Sequence, residues 1–189
     1  MIQAMDFSDS RFTVVHHRNV WGEWTFIFEG TKLCGLTFYG ESGKKTLASS
    51  VKACAYAGTE SEAKVRGRTA QVYSKAVREL TQYLAGKSRK FTIPIKLYGT
   101  EFQKAVWERV REIPYGKTVS YKQVAQDIGH AGAERSVGNA LHNNPLLVII
   151  PCHRVIDARG KLSGYALGTD IKRRLLCMEG AIQNELELE

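Results

Sequence analysis

Hydrophobic and polar positions follow two different rhythms in this chain, and the change falls near residue 100. Residues 11–17, 23–29 and 32–39 are rich in Val, Phe, Thr, Trp and Ile, the residues that suit a pleated, half-buried surface. Gly22, Gly30 and Gly40 fall where these runs need turns, so the first forty residues predict β-hairpins. Residues 48–57 suit a short helix and 58–69 a loop. Val72, Tyr73, Ala76, Val77, Leu80, Tyr83 and Leu84 then recur at helical spacing and stop at Gly86. Residues 87–99 contain Ile93-Pro94-Ile95, which is extended rather than helical, as a linker or an edge strand would be.

The second half reads as mostly helical. Thr100-Glu101-Phe102-Gln103 fits a capping box, with Phe102, Val106 and Val110 on one face of the helix it opens. Ile113-Pro114-Tyr115-Gly116 stops that helix. Ser120-Tyr121-Lys122-Gln123 fits a second box, opening a short helix to Asp127, and Gly129 supplies a turn. A third helix is expected over residues 133–143, ending before Pro145. Asn143-Asn144-Pro145 turns the chain into the apolar run 146–150, read as a buried strand or extended segment. Thr169 is expected to cap a last helix that buries Ile171, Leu175 and Leu176 and stops at Gly180. The fold class is α+β: an N-terminal domain (1–90) with an antiparallel sheet and a helix, a linker (91–99), and a mostly helical C-terminal domain (100–189) with a helix-turn-helix.

Composition narrows the chemistry. The 189 residues, 43% hydrophobic, suffice for one domain or two small ones. No apolar run reaches the length of a membrane span, and the N-terminus does not resemble a secretory signal. Four cysteines without a CxxC pair suit a reducing, cytoplasmic-type compartment (or the nucleus of a eukaryote). The net charge of +8 favours a polyanionic partner such as nucleic acid, although a solvated basic surface would look the same. The excess lies in residues 1–99, with 15 Lys and Arg against 8 Asp and Glu.

Three residues ask for partners. Arg135 falls in the first turn of its helix, where the dipole disfavours a cation, and Glu179 near the end of the last helix, where it disfavours an anion. Gly138 in mid-helix costs about 1 kcal/mol relative to Ala, which suggests close approach of another surface, a nucleic-acid backbone or a helix. The chemistry itself centres on Pro151-Cys152-His153-Arg154-Val155. A lone buried Cys is ordinarily a small hydrophobe. An imidazole within reach, directly or through a water, turns it into a nucleophile.

Pro151-Cys152-His153-Arg154-Val155 resembles the active-site signature of the O6-alkylguanine-DNA alkyltransferases, the methylated-DNA–protein-cysteine methyltransferase family. Thr100-Glu101-Phe102-Gln103 with Val106-Trp107 is similar to the opening of that family's C-terminal domain. Ile113-Pro114-Tyr115-Gly116-Lys117-Thr118, Ser120-Tyr121, Arg135 with Val137-Gly138, Asn144-Pro145, Gly164-Tyr165 and Leu175-Leu176 with Glu179-Gly180 also fit. The resemblance covers residues 100–180. It implies that an alkylated guanine leaves duplex DNA for a pocket and that Cys152 takes the alkyl group from O6 once per protein molecule. O4-alkylthymine is a second expected substrate. His153 is carried over as the base acting through a water, Glu179 as its orienting carboxylate, and Asn144 as the brace of the thiol. Tyr121 is carried over as the phosphate contact and the hydrogen-bond donor to the leaving group. Arg135 fills the vacated stack, and Ser136 and Gly138 share its DNA-binding face. Tyr165, Val155, Ala166 and Leu141 surround the base. The partner implied is double-stranded DNA containing O6-alkylguanine, met by a monomer, with no membrane and no cofactor.

The chain departs from the family in places. Ala166 stands where paired glycines or a hydroxyl are usual, so a backbone amide must serve O6 instead. Glu134 sits beside Arg135, and Leu146-Leu147 replaces a stiffer, proline-containing turn. His16, His17, Cys34 and Cys54 lack a compact ligand spacing, so no metal is expected. Three rival functions remain: a damage-binding relative without transfer, which would lack Cys152; a helix-turn-helix regulator, which needs no Cys-His segment; and a cysteine hydrolase, which needs an oxyanion site.

Overall fold

Branched and aromatic residues build a four-stranded antiparallel meander in the first half: β1 (Phe12–Asn19), β2 (Gly22–Glu29), β3 (Lys32–Tyr39) and β4 (Lys45–Thr46). The computed structural model describes residues 12–39, 45–46, 67–160, 162, 165 and 167–183. The expected helix at 48–57 therefore lies outside the described residues, as do Cys54, Gly164 and Ala166. The first hairpin turns on residues 20–21, where Asn19 Oδ1 accepts from the Trp21 N–H at 2.9 Å and from Trp24 Nε1 at 3.2 Å. Gly22, expected in the turn, instead pairs with Asn19 as the first residue of β2.

Helix α1 (Gly67–Leu84) begins inside the stretch expected to be a loop. Its Tyr73 packs edge-on against Phe26 and Phe28 of β2, with ring centroids 5.6 and 6.3 Å away. Glu79, also on α1, accepts from the N–H groups of Thr92 and Ile93 at 2.8 and 3.2 Å. That fixes the segment whose Ile95 bridges Leu33 of β3. These elements make up the first of two units, Met1–Tyr98; the second is Gly99–Glu189.

In the second unit, α2 (Glu101–Arg111) opens on a complete capping box: Thr100 Oγ1 accepts from the Gln103 N–H and Gln103 Oε1 from the Thr100 N–H. Phe102 is only half-buried; Gln103, Val106, Trp107 and Val110 form the buried face. Then come β5 (Val119–Ser120), α3 (Tyr121–Asp127), α4 (Glu134–His142), a 3-10 turn (Cys152–Arg154), β6 (Val155–Ile156) and α5 (Thr169–Met178). Trp107 Nε1 donates to the Ala140 carbonyl at 2.9 Å, seating α4 on α2, and Arg109 binds Asp127 at 2.6 Å, tying α2 to α3.

Several expectations are corrected here. Only half of the second capping box forms. Ser120 Oγ accepts from the Gln123 N–H at 3.0 Å, while the Gln123 amide turns along the helix to Asp127 at 2.7 Å. Gly168, at φ 88°, is the N-cap of α5, and Thr169 is its first helical residue. On α5 the buried positions are Lys172, Leu175 and Leu176; Ile171 is half-exposed. Residues 146–150 are fully buried but not a strand. Ile150 N–H closes onto the Leu146 carbonyl at 2.9 Å, and Val148 takes φ 72°. A β-branched residue in the left-handed region is strained, so the surrounding contacts must hold it there. No helix among the described residues is long and apolar enough to cross a membrane.

Candidate active site

The tight turn at 146–150 and the 3-10 turn after it aim Cys152 inward, with 4% of its surface exposed. Asn144 organises both turns. Its Oδ1 accepts from the Leu146 N–H at 2.9 Å. Its Nδ2 donates to the Ile150 carbonyl at 2.9 Å and to Cys152 Sγ at 3.1 Å. One buried amide thus closes the backbone and touches the thiol.

The parallel pair β5–β6, which the sequence did not announce, aligns Val119 with Val155 and Ser120 with Ile156. It places the first residue of α3, Tyr121, beside the cysteine segment. Burial raises the Tyr121 phenol above its ordinary pKa, with the charges of Cys152 and Asp157 adding to it. The phenol therefore keeps its proton and can offer it in a hydrogen bond.

His153 is fully buried and points to the end of α5, where Nε2 meets Glu179 Oε1 at 2.6 Å. Glu179 is the C-cap residue of α5, one step beyond its last turn. The partner expected for it is double, because Arg154 also reaches it, Nε to Oε2 at 2.8 Å. The Gly116 N–H donates to Oε2 at 3.1 Å. Gly116 takes φ 74°, and a Cβ there would lie 2.8 Å from the Glu179 carbonyl oxygen, so only glycine fits.

Burial raises the Cys152 thiol above its ordinary pKa, opposed by the Asn144 hydrogen bond and by Lys172. Burial likewise lowers His153, opposed by Glu179. At neutral pH both shifts favour the uncharged thiol and the uncharged ring. Lys172, which the sequence reading passed over, is fully buried on α5; its Nζ donates to the Val155 carbonyl at 2.7 Å, and burial pushes its pKa down to about 8. Its signal was present: a lysine three residues before Leu175 and four before Leu176, on the apolar face of the helix.

An open groove of about 510 Å³ runs past Tyr121, walled also by Lys122, Glu134, Arg135, Gly138 and Asp157 among others. It brings together Tyr121, Arg135 and Gly138 of the expected DNA-binding set; Ser136 is exposed on α4 outside it. Gly138 faces the Tyr121 ring, where an added Cβ would make ordinary contact at 3.8 Å. Of the expected pocket residues, Tyr165 stands edge-on to His153 with ring centroids 6.3 Å apart. Val155 and Leu141 are buried, the latter on α4. Ala166 lies outside the described residues. Among the described residues no group of three His, Cys, Asp or Glu side chains is arranged to hold a metal.

Residues 101–181 match the family model of the 6-O-methylguanine DNA methyltransferase DNA-binding domain. Over 111 residues the chain is 49% identical to the methylated-DNA–protein-cysteine methyltransferase of Methanosarcina acetivorans, covering 59% of this chain and 71% of that one. The inducible Bacillus subtilis protein of the same name is 47% identical over 110 residues, 58% of this chain and 62% of its own. The crystal structure of Mycobacterium tuberculosis O6-methylguanine methyltransferase superposes with a TM-score of 0.74 at 34% identity, covering 92% of this chain and 96% of that one. The same organism's OGT in complex with DNA gives 0.73 at 34% identity, covering 89% and 93%. With a likeness that spans both units and a buried Cys-His-Glu centre in the matched domain, the chain belongs to the methylated-DNA–protein-cysteine methyltransferase family.

Proposed function

We propose that this protein repairs DNA by moving an alkyl group from O6 of guanine to the sulfur of Cys152. The observation that carries the reading is the buried centre in which Asn144 touches the thiol and Glu179 holds the imidazole of His153. With Nε2 committed to Glu179, Nδ1 is the ring nitrogen that takes the thiol proton, through one water. The thiolate attacks the alkyl carbon in line. The S–C bond forms as the C–O6 bond breaks, and the electron pair leaves with the guanine. Tyr121, held protonated, donates a hydrogen bond to the leaving base. The imidazolium formed is stabilised by Glu179.

The finer steps belong to the same proposal. The base leaves the duplex to reach a thiol this deeply buried, as chemistry on a base requires. Arg135 enters the stack from α4, which with α3 acts as a helix-turn-helix, and Ser136 and Gly138 lie along the backbone. Tyr165, Val155, Leu141 and Ala166 surround the base. A thioether has no route back to the thiol here, so each molecule acts once, as a monomer. O4-alkylthymine presents the same alkyl–oxygen bond. The domain reading of 1–90, a 91–99 linker and 100–189, and a cytoplasmic or nuclear site of action, complete it.

Incubation with a duplex carrying one O6-methylguanine, followed by intact-protein mass spectrometry, tests the reading. One added methyl on Cys152 per restored guanine is expected, and none in Cys152→Ala, which still binds the duplex. Binding without a mass change in the native protein would make it a damage sensor instead.

A further inference from the structure

We infer that Arg154 keeps His153 unprotonated at rest by sharing Glu179 with it, and is thereby a positioning residue for the transfer; the inference rests on the base role proposed above. Among the described residues, four donors reach the Glu179 carboxylate. Oε1 takes His153 Nε2 at 2.6 Å and Arg154 Nη2 at 3.1 Å. Oε2 takes Arg154 Nε at 2.8 Å and the Gly116 N–H at 3.1 Å. A carboxylate offers about four lone-pair sites, so this one is full. The guanidinium is itself clamped: Nη1 donates to the Ile113 carbonyl at 2.6 Å, and the group lies over the Tyr115 ring at 5.7 Å.

Charge counting gives the consequence. A buried carboxylate alone against an imidazole would draw a proton onto the ring, because a buried anion needs a cation. An imidazolium at rest cannot accept the thiol proton. Arg154 supplies that positive charge itself, through a guanidinium held on both carboxylate oxygens. With it in place, the neutral ring leaves the Arg154–Glu179 pair balanced, and protonating the ring adds an unbalanced buried charge. Among the described residues, Lys172 also acts on the ring, its ammonium in the same direction as Arg154, and Tyr165 stands edge-on to it. The proton affinity of His153 is lowered first by burial, which Glu179 opposes, and Arg154 and Lys172 lower it further.

The test follows the His153 ring by NMR across pH in the unreacted full chain, alongside the rate of methyl transfer from an O6-methylguanine duplex. In Arg154→Met the ring should titrate at least about one pH unit higher than in the native protein. The acid limb of the rate profile should move with it, so that transfer falls about tenfold on that limb and recovers at higher pH. Arg154→Lys, which restores a charge, should bring the profile back. Arg154→Gln keeps an N–H donor without the charge and replaces the methionine variant if that one does not fold. An unchanged titration in whichever uncharged variant folds, or a rate lost equally at every pH, overturns the inference. So does a native His153 protonated at pH 7. Because the ring titration needs no alkyl transfer, a native protein that fails to transfer defeats the proposed function while still returning a result on Arg154.

Discussion

Lys172→Met makes the sharpest prediction about stability. The ammonium is fully buried, and its pKa falls from the ordinary 10.5 to about 8. An unfolded chain then holds one more proton than the folded one between those values. Stability rises with pH wherever the unfolded state binds more protons, by about 1.4 kcal/mol per pH unit for one group. The native protein should therefore gain stability relative to Lys172→Met as pH rises from 8. The gain is about 2 kcal/mol by pH 9.5 and about 3 kcal/mol by pH 10.5. Taking the difference between the two proteins removes other titrations common to both. At pH 7 two terms oppose: removing the ammonium relieves its desolvation but leaves the Val155 carbonyl without this donor, at about 1–3 kcal/mol. The slope, not the value at pH 7, is diagnostic. Urea denaturation of the full chain under reducing conditions, read from NMR methyl signals of Leu175 and Leu176, measures it. A stability difference flat from pH 7 to 9.5 would refute the reasoning, since it would mean the buried ammonium titrates like one in water.

Two further substitutions separate the scaffold from the surface. Asn144→Ala leaves the buried Leu146 N–H without this acceptor and takes one donor from the Ile150 carbonyl, which keeps the Cys152 N–H at 2.8 Å; that should cost about 1–3 kcal/mol and slow transfer; denaturation midpoints within about 0.5 kcal/mol of native would sink the brace role. Arg135→Ala should change stability by less than about 0.5 kcal/mol, because the side chain is exposed. It should slow repair of duplex far more than reaction with free O6-methylguanine; equal losses on both substrates would remove its part in base extrusion.

Local pattern carried much of this protein. Hairpin composition announced β1 to β3, the Thr100 box announced α2, and the glycine-broken apolar pattern announced α3 and α4 within a residue or two, because each depends on neighbours close in sequence. The cysteine, its histidine, Asn144 and Glu179 were legible from the motif, and Glu179 also from its unfavourable place at a helix end. The tertiary structure decided the rest. An apolar run such as 146–150 specifies burial but not conformation, and it was the Asn144 side chain that folded it into a turn with Val148 strained. The β5–β6 pairing sets the start of α3 beside the segment that follows Cys152, and Tyr121 within reach of its charge, a juxtaposition across 31 positions that no local rhythm encodes. Arg154 is a charged residue that pattern sends to water, and the place of Lys172 on the apolar face of α5 does not say what would receive its charge. Only the assembled core, with the Val155 carbonyl and the Glu179 carboxylate waiting inside it, makes burying them possible, because a buried charge survives only where partners are already fixed.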